Sequence, residues 1–204
     1  MIEADAHGPK VLRTPGGLMC KLFRRKRALS SALWRPYALR FARNAAGLSG
    51  RGVPSVRVLR VWHCPAQARH VVAYEFVPGT TLRERAAQAP LDAAQWHRLG
   101  EFIAVLHRRG VYFRSLHLGN VVLRPQGDFA LIDVADLRLR TLPLGVRWRA
   151  RNIRHLLRDA VARAPEARAA WTAAYLDAAR ADLGAFRHAR LARAVAAVRA
   201  GHGG

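Results

Sequence analysis

Acidic residues are scarce in this chain: 13 Asp and Glu stand against 35 Lys and Arg in 204 residues, a formal net charge of +22. Such a deficit disfavours a basic partner and points to a polyanion: lipid phosphates, nucleic acid or an anionic glycolipid. Lysine is scarcer still. Lys10, Lys21 and Lys26 are the only three, and every other basic residue is arginine, a bias expected of a GC-rich genome. Where arginine is the default cation, a lysine inside a strand is there for its compact ammonium. Cys20 and Cys64 are too few for a disulfide framework, which makes a reducing cytoplasm the expected compartment, and His63, Cys64 and His70 lack zinc-site spacing. No apolar run approaches the ~18 residues of a membrane span, and the N-terminus lacks a signal-peptide pattern. What is present is ample apolar material, 51% of residues, enough for one compact domain that can be built as two lobes.

The most informative stretch runs from Phe113 to Asp136. Val121 to Leu123 and Phe129 to Ile132 are short β-prone runs, and Pro125-Gln126-Gly127-Asp128 between them is a turn signal, which predicts a hairpin. Asn120 precedes its first strand and Asp133 ends its second, so the expectation is that a carboxamide and a carboxylate oxygen converge on one point, a site suited to a hard cation carrying phosphates.

Leu116-His117-Leu118-Gly119-Asn120, followed thirteen residues later by Asp133, resembles the catalytic loop and metal-binding aspartate of protein-kinase-like enzymes. The chain as a whole is most similar to the bacterial lipopolysaccharide kinases, the core heptose and Kdo kinases and the related "toluene tolerance" proteins. The resemblance implies an α+β, two-lobed fold with a small antiparallel-sheet N-lobe and a mainly helical C-lobe. It makes residues 1–204 a single kinase-like domain, with the N-lobe at about 1–77, the hinge at about 74–80 and the C-lobe at about 80–200. It also implies that Asn120 and Asp133 hold Mg²⁺ on the phosphates of ATP, with Ser115 standing where the family has its catalytic Asp. A serine hydroxyl orients an acceptor hydroxyl but does not take its proton as a carboxylate does. Asp136 is a second candidate base.

In chain order, strands are expected near Ile2 to Ala4, at Lys10 to Arg13 and at Leu18 to Arg24. Asp5 to Pro9 falls where kinases have the glycine loop, although it carries only Gly8. Lys21 matches the strand lysine that pairs with nucleotide phosphates; its alternative is a solvent-facing residue on an edge strand. Arg24-Arg25-Lys26-Arg27, with Leu29, Leu33 and Trp34 after it, is either a solvated turn or a contact for an anionic acceptor or membrane surface. Tyr37 to Ser49 reads as the kinase C-helix. No Asp or Glu occurs from Ala28 to Arg60, so the helix glutamate that would hold Lys21 is missing and Asn44 is a weak polar substitute. Strands follow at Val56 to Trp62 and Val71 to Val77. Tyr74 to Gly79, including Glu75, resembles the segment where adenine meets the hinge.

A short helix starts at Gly79 to Leu82. Asp92 with Gln95 is compatible with a capping box and opens a helix whose stripe Trp96, Leu99, Phe102, Ile103, Leu106 and His107 reads as the buried central helix. His107 is expected in the core, and His117 braces the loop. The segment from Arg147 to Arg158 resembles the family's Arg-Trp-Arg-x-Lys-Asp-Leu segment, with Asn152 in place of Asp. Its arginines either bind acceptor phosphates or form the exposed face of an amphipathic helix. Helices are expected from Pro165 to Arg180 and from about Leu183 to Arg199, before a tail at Gly201 to Gly204. No full activation segment fits between Asp136 and Arg147, which argues against protein substrates.

The implied function is phosphoryl transfer from ATP, with Mg²⁺, to a sugar hydroxyl of the lipopolysaccharide core or a similar anionic glycolipid. The implied location is the cytoplasm, with peripheral contact at the inner membrane. The alternative is a pseudokinase that binds nucleotide or a partner as a scaffold or regulator. The charge also permits nucleic-acid binding, but the chain lacks the aromatic-interleaved basic motifs of a recognised RNA module. The oligomeric state is not written in the sequence.

Overall fold

The computed structural model describes residues 3–5, 8–24 and 36–200. The basic cluster from Arg25 onward, with Leu29, Leu33 and Trp34, and the tail at Gly201 to Gly204 lie outside the described residues. The chain forms two compact units. The first comprises residues up to Pro78 together with Leu131–Asp136; the second comprises Gly79–Ala130 and Leu137–Gly204.

Among the described residues, the first unit is a five-stranded antiparallel sheet and one helix. Its strands are β1 (Glu3–Asp5), β2 (Gly8–Arg13), β3 (Leu18–Arg24), β4 (Val58–Cys64) and β5 (Arg69–Glu75), arranged in the order β1-β2-β3-β5-β4. The turn at Thr14 to Gly17 uses Gly17 at φ 81°, a conformation open to glycine without a Cβ penalty. β3 is the central strand, with Lys21 opposite Val11 on one side and Val72 on the other. The edge-strand reading of Lys21 is therefore wrong: the lysine is 7% exposed.

β4 and β5 begin and end about two residues from the expected strands. The reason is the tight connection at Pro65–Gln67, closed by Ala68 at φ 48°, which keeps His63 and Cys64 paired with His70 and Arg69. The helix α1 (Tyr37–Ser49) buries Ala38, Phe41, Asn44, Ala45 and Leu48, the i, i+3, i+4, i+7 stripe of an amphipathic helix. Phe41 packs between the rings of Phe23 and Tyr74, at 5.8 and 5.4 Å.

The second unit is mainly helical. β6 (Thr80–Thr81) leads into α2 (Leu82–Gln88), where Thr81 and Glu84 form a capping box. α3 (Ala93–Arg108) carries the expected box: Asp92 Oδ1 accepts from the Gln95 N–H at 2.6 Å, and Gln95 Oε1 accepts from the Asp92 N–H at 2.9 Å. β7 (Val111–Phe113), β8 (Val121–Leu123), β9 (Phe129–Leu131) and β10 (Leu137–Leu139) follow, then α4 (Val146–Leu156), α5 (Ala160–Arg163), α6 (Pro165–Ala178) and α7 (Ala185–Ala200).

β8 and β9 are the predicted hairpin, extended by β6 into a three-stranded sheet, while β7 pairs with β10. Gly79, at φ 125°, lies so close to β8 that a Cβ there would meet the Leu123 carbonyl oxygen at 2.2 Å. The core is the face of α3 that carries Leu99, Ile103 and Leu106, packed on Trp171, Ala174 and Tyr175 of α6. Gly100 permits that approach, since a Cβ would fall 2.2 Å from the Trp171 carbonyl oxygen. No helix among the described residues is long and apolar enough to cross a membrane.

Candidate active site

Lys21 and Asp133 meet within the first unit. The pleat of β3 turns Lys21 inward over the faces of Phe23 and Phe41, 5.6 and 5.8 Å from the ring centroids, and its ammonium lies 2.7 Å from Asp133 Oδ1. The apolar walls remove water from the ammonium, which therefore needs a counter-charge. Asp133 supplies it from φ 53°, the left-handed region that Asp enters more readily than most residues but still at a cost. Its carboxylate is 43% exposed, and Oδ2 has no partner among the described residues, so one oxygen holds the lysine while those residues leave the other unengaged.

Asn44 does not replace the missing helix glutamate. Its Nδ2 donates to the carbonyls of Val134 and Ala135, at 2.7 and 3.3 Å, and so fixes the turn that follows Asp133 rather than the lysine. Asp136 turns toward α1, where its Oδ1 lies 3.6 Å from Arg40. Glu75 pairs with Arg57 across the strands, and its backbone N–H donates to the Arg57 carbonyl at 3.0 Å. The Glu75 carboxylate and N–H are thus both engaged within the sheet.

The loop after β7 belongs to the second unit. Ser115 is half-buried, and its carbonyl accepts from Asn120 Nδ2 at 2.9 Å, while the same nitrogen lies 3.2 Å from His117 Nε2. Holding the amide by its nitrogen leaves Asn120 Oδ1 without a donor among the described residues, although Asn120 is only 7% exposed. That is the orientation a hard-cation ligand requires. His117 does brace the loop, and its Nδ1 lies 3.5 Å from Arg83, which in turn donates to the buried carboxylate of Asp159 at 3.0 Å. Arg83 and Asp159 gave no signal in the sequence because their pairing spans 76 residues.

Asn152 explains how the loop is anchored. Its Oδ1 accepts from the Phe113 N–H at 3.2 Å, and its Nδ2 donates to the Phe113 carbonyl at 2.6 Å. Oδ1 also accepts from His107 Nε2 at 3.2 Å, and His107 Nδ1 takes the Tyr175 hydroxyl at 2.9 Å. An amide both accepts and donates, so it satisfies the N–H and the C=O of one residue; a carboxylate in its place could only accept. His107 is fully buried and its pKa is lowered to about 3, by burial first and then by the positive charge of Arg149. It is a core residue.

The arginines of α4 and of the turn after it separate into two kinds. Arg149 is wholly buried, donates through Nε to the Leu144 carbonyl at 2.7 Å and pairs with Asp182, so it does not face an acceptor. Arg147, Arg151, Arg154 and Arg158 are exposed.

The profile of the lipopolysaccharide kinase (Kdo/WaaP) family matches residues 79–181, just over half of the chain. The chain belongs to the lipopolysaccharide kinase family. The matched segment of this family member contains Ser115, Asn120, Asp133 and Asn152. The 3-deoxy-D-manno-octulosonic acid kinase of Xylella fastidiosa strain M12 is 29% identical over 114 residues, 55% of this chain and 45% of that protein. Its counterpart from strain 9a5c is 28% identical over the same share. The alignment therefore spans less than half the length of these curated relatives. The bifunctional kinase-methyltransferase WbdD superposes with a TM-score of 0.50 at 16% identity, covering 88% of this chain and 46% of the other. This is a likeness of fold, and it agrees with the α+β arrangement of a small antiparallel sheet and a mainly helical remainder.

Proposed function

We propose that this lipopolysaccharide kinase family member is an ATP-dependent phosphotransferase acting on a sugar hydroxyl of the lipopolysaccharide core, or of a similar anionic glycolipid, at the inner face of the cytoplasmic membrane. The observation that carries the reading is the buried Lys21 held by one oxygen of Asp133, with the other oxygen unpartnered among the described residues. In this account residues 1–204 act as one kinase-like domain, with an N-lobe to about 77, a hinge at about 74–80 and a C-lobe at about 80–200.

Asn120 and Asp133 hold Mg²⁺, which when bound neutralises the charge of the nucleotide phosphates. Lys21 exchanges Asp133 for the α and β phosphates as nucleotide enters. Ser115 orients the acceptor hydroxyl. The hinge contributes backbone groups rather than the Glu75 carboxylate. Phosphoryl transfer depends chiefly on positioning and electrostatic stabilisation, so a loop without a carboxylate base remains compatible with turnover.

A second reading, a nucleotide-binding pseudokinase that serves as scaffold or regulator, is favoured by one specific observation. Neither the loop from Arg114 to Gly119 nor α1 carries an Asp or Glu. Thermal unfolding with and without ATP and Mg²⁺ tests the nucleotide site common to both readings, because a ligand that binds only the folded state raises the midpoint. A rise of about 5 °C is expected at saturating ATP·Mg²⁺, and little rise with ATP and chelator. No rise at millimolar ATP would leave only a scaffold that binds a partner.

A further inference from the structure

Between Leu137 and Arg158 the chain contains no Asp or Glu. Some arginines elsewhere pair with carboxylates, Arg57 with Glu75, Arg83 with Asp159 and Arg124 with Asp128. Arg151 and Arg154, on the exposed side of α4, and Arg158, in the turn after it, have no carboxylate partner among the described residues, and neither does Arg114. They gather at one place. Arg151 and Arg154 lie three residues apart on α4, one turn from each other, Arg158 lies in the turn that follows the helix, and β7 packs against α4. There the Tyr112 hydroxyl lies 3.2 Å from His155 Nε2 and the Tyr112 ring stands edge-on to Trp148 at 4.8 Å. Arg114, exposed and two residues after Tyr112, thereby joins the α4 arginines around His155 and directly precedes Ser115.

We propose that Arg114, Arg151, Arg154 and Arg158 form the acceptor-binding surface, which recognises phosphate groups on the sugar acceptor and delivers its hydroxyl to the loop at Ser115. This rests on the phosphotransferase reading above and names the chemistry by which the acceptor is held. Guanidinium forks match phosphate oxygens bidentately, and like charges held together without neutralisation gain most from a multivalent anion. The link to Ser115 favours a sugar acceptor over a bulk lipid surface, because Arg114 and Ser115 are neighbours in the chain. His155 reports on the same field. Its pKa is lowered to about 4 by burial first, then by Arg158, Arg151, Arg114 and Arg154.

The test is binding of deacylated lipopolysaccharide core oligosaccharide, measured without ATP by calorimetry at low salt. The variants are Arg151→Gln/Arg154→Gln and a charge-matched control, Arg98→Gln/Arg187→Gln, which removes two exposed arginines from α3 and α7. The expected loss is about tenfold for each patch arginine removed, about 100-fold for the pair, with less than about twofold for the control. Enzymatically or chemically dephosphorylated oligosaccharide should bind the wild type about as weakly as intact oligosaccharide binds the patch variant. Bound phosphates should also move the NMR titration of the His155 ring upward.

Equal losses in both variants, or no effect of dephosphorylation, would overturn the proposal. So would a patch variant that loses only binding to phosphatidylglycerol vesicles. Because binding is read without turnover, the two claims fail separately. Patch-dependent binding with no phosphate transfer removes the kinase reading and keeps the patch. Transfer with an unchanged acceptor KM in Arg151→Gln/Arg154→Gln removes the patch and keeps the kinase.

Discussion

Replacing Asp133 by asparagine is expected to abolish Mg²⁺-dependent ATP binding and to lower any turnover by about 10³-fold or more, the scale on which charge-stabilising groups act in transfer reactions. The carboxamide keeps the size of the side chain but loses the charge needed for the metal. Stability must be read beside activity, because the same carboxylate neutralises a buried ammonium. Asp133→Ala removes the partner of Lys21, whose side chain is 8% exposed. Leaving a buried charge unpaired costs several kcal/mol in the fully buried limit. The 43% exposure of Asp133 and solvent screening reduce this to about 1–2 kcal/mol. Lys21→Met/Asp133→Asn should recover most of that loss without recovering nucleotide binding. A Lys21→Met/Asp133→Asn protein that binds ATP·Mg²⁺ like wild type would place the nucleotide elsewhere.

The second large effect concerns the anchor of the loop rather than its chemistry. Asn152→Ala leaves the Phe113 N–H and His107 Nε2 without partners in the buried interior, while the Phe113 carbonyl keeps the Leu116 N–H at 3.1 Å. At about 1–3 kcal/mol for each unsatisfied group, the expected loss is about 4 kcal/mol, measured as a lower urea midpoint at unchanged slope. A loss under about 1 kcal/mol would mean that water or a neighbouring side chain replaces the amide. The same network carries a pH signature. His107 has a folded pKa of about 3 against 6.5 for the unfolded chain, so below 6.5 the unfolded state binds a proton that the native state refuses. The stabilisation is therefore complete above about pH 6.5 and falls at about 1.4 kcal/mol per pH unit as the pH drops toward the folded value. His107→Gln, which still donates to Asn152, should flatten that part of the profile. An unchanged slope in the variant would assign the acid sensitivity to other groups.

Local signals made much of the fold legible. Leu18 to Arg24 and Tyr37 to Ser49 occupy the strand and helix their patterns dictate, the Asp92 and Gln95 pair closes its box, and Pro125 to Asp128 turns a hairpin. These depend on neighbours within a few residues. β7 and β10 were not legible, since three residues apiece give no periodicity and their pairing joins positions more than twenty residues apart. In the site, spacing singled out Asn120 and Asp133, and the scarcity of lysine with the strand resemblance singled out Lys21, but nothing showed the ion pair that joins Lys21 to Asp133. The absence of a glutamate in α1 hid that pairing, because the substitute comes from the far end of the β9 segment. Asn152 was visible only as a departure from an expected Asp. Its use as donor and acceptor to one residue depends on where the fold places Phe113, 39 residues away.

The most direct test of the account is transfer of the γ-phosphate from radiolabelled ATP to lipopolysaccharide core oligosaccharide, with Mg²⁺, by the wild-type chain and by Asp133→Asn. Labelled oligosaccharide is expected with wild type, dependent on Mg²⁺ and absent with Asp133→Asn. ATP·Mg²⁺ binding by wild type with no label entering any core oligosaccharide would contradict it and establish the chain as a nucleotide-binding pseudokinase.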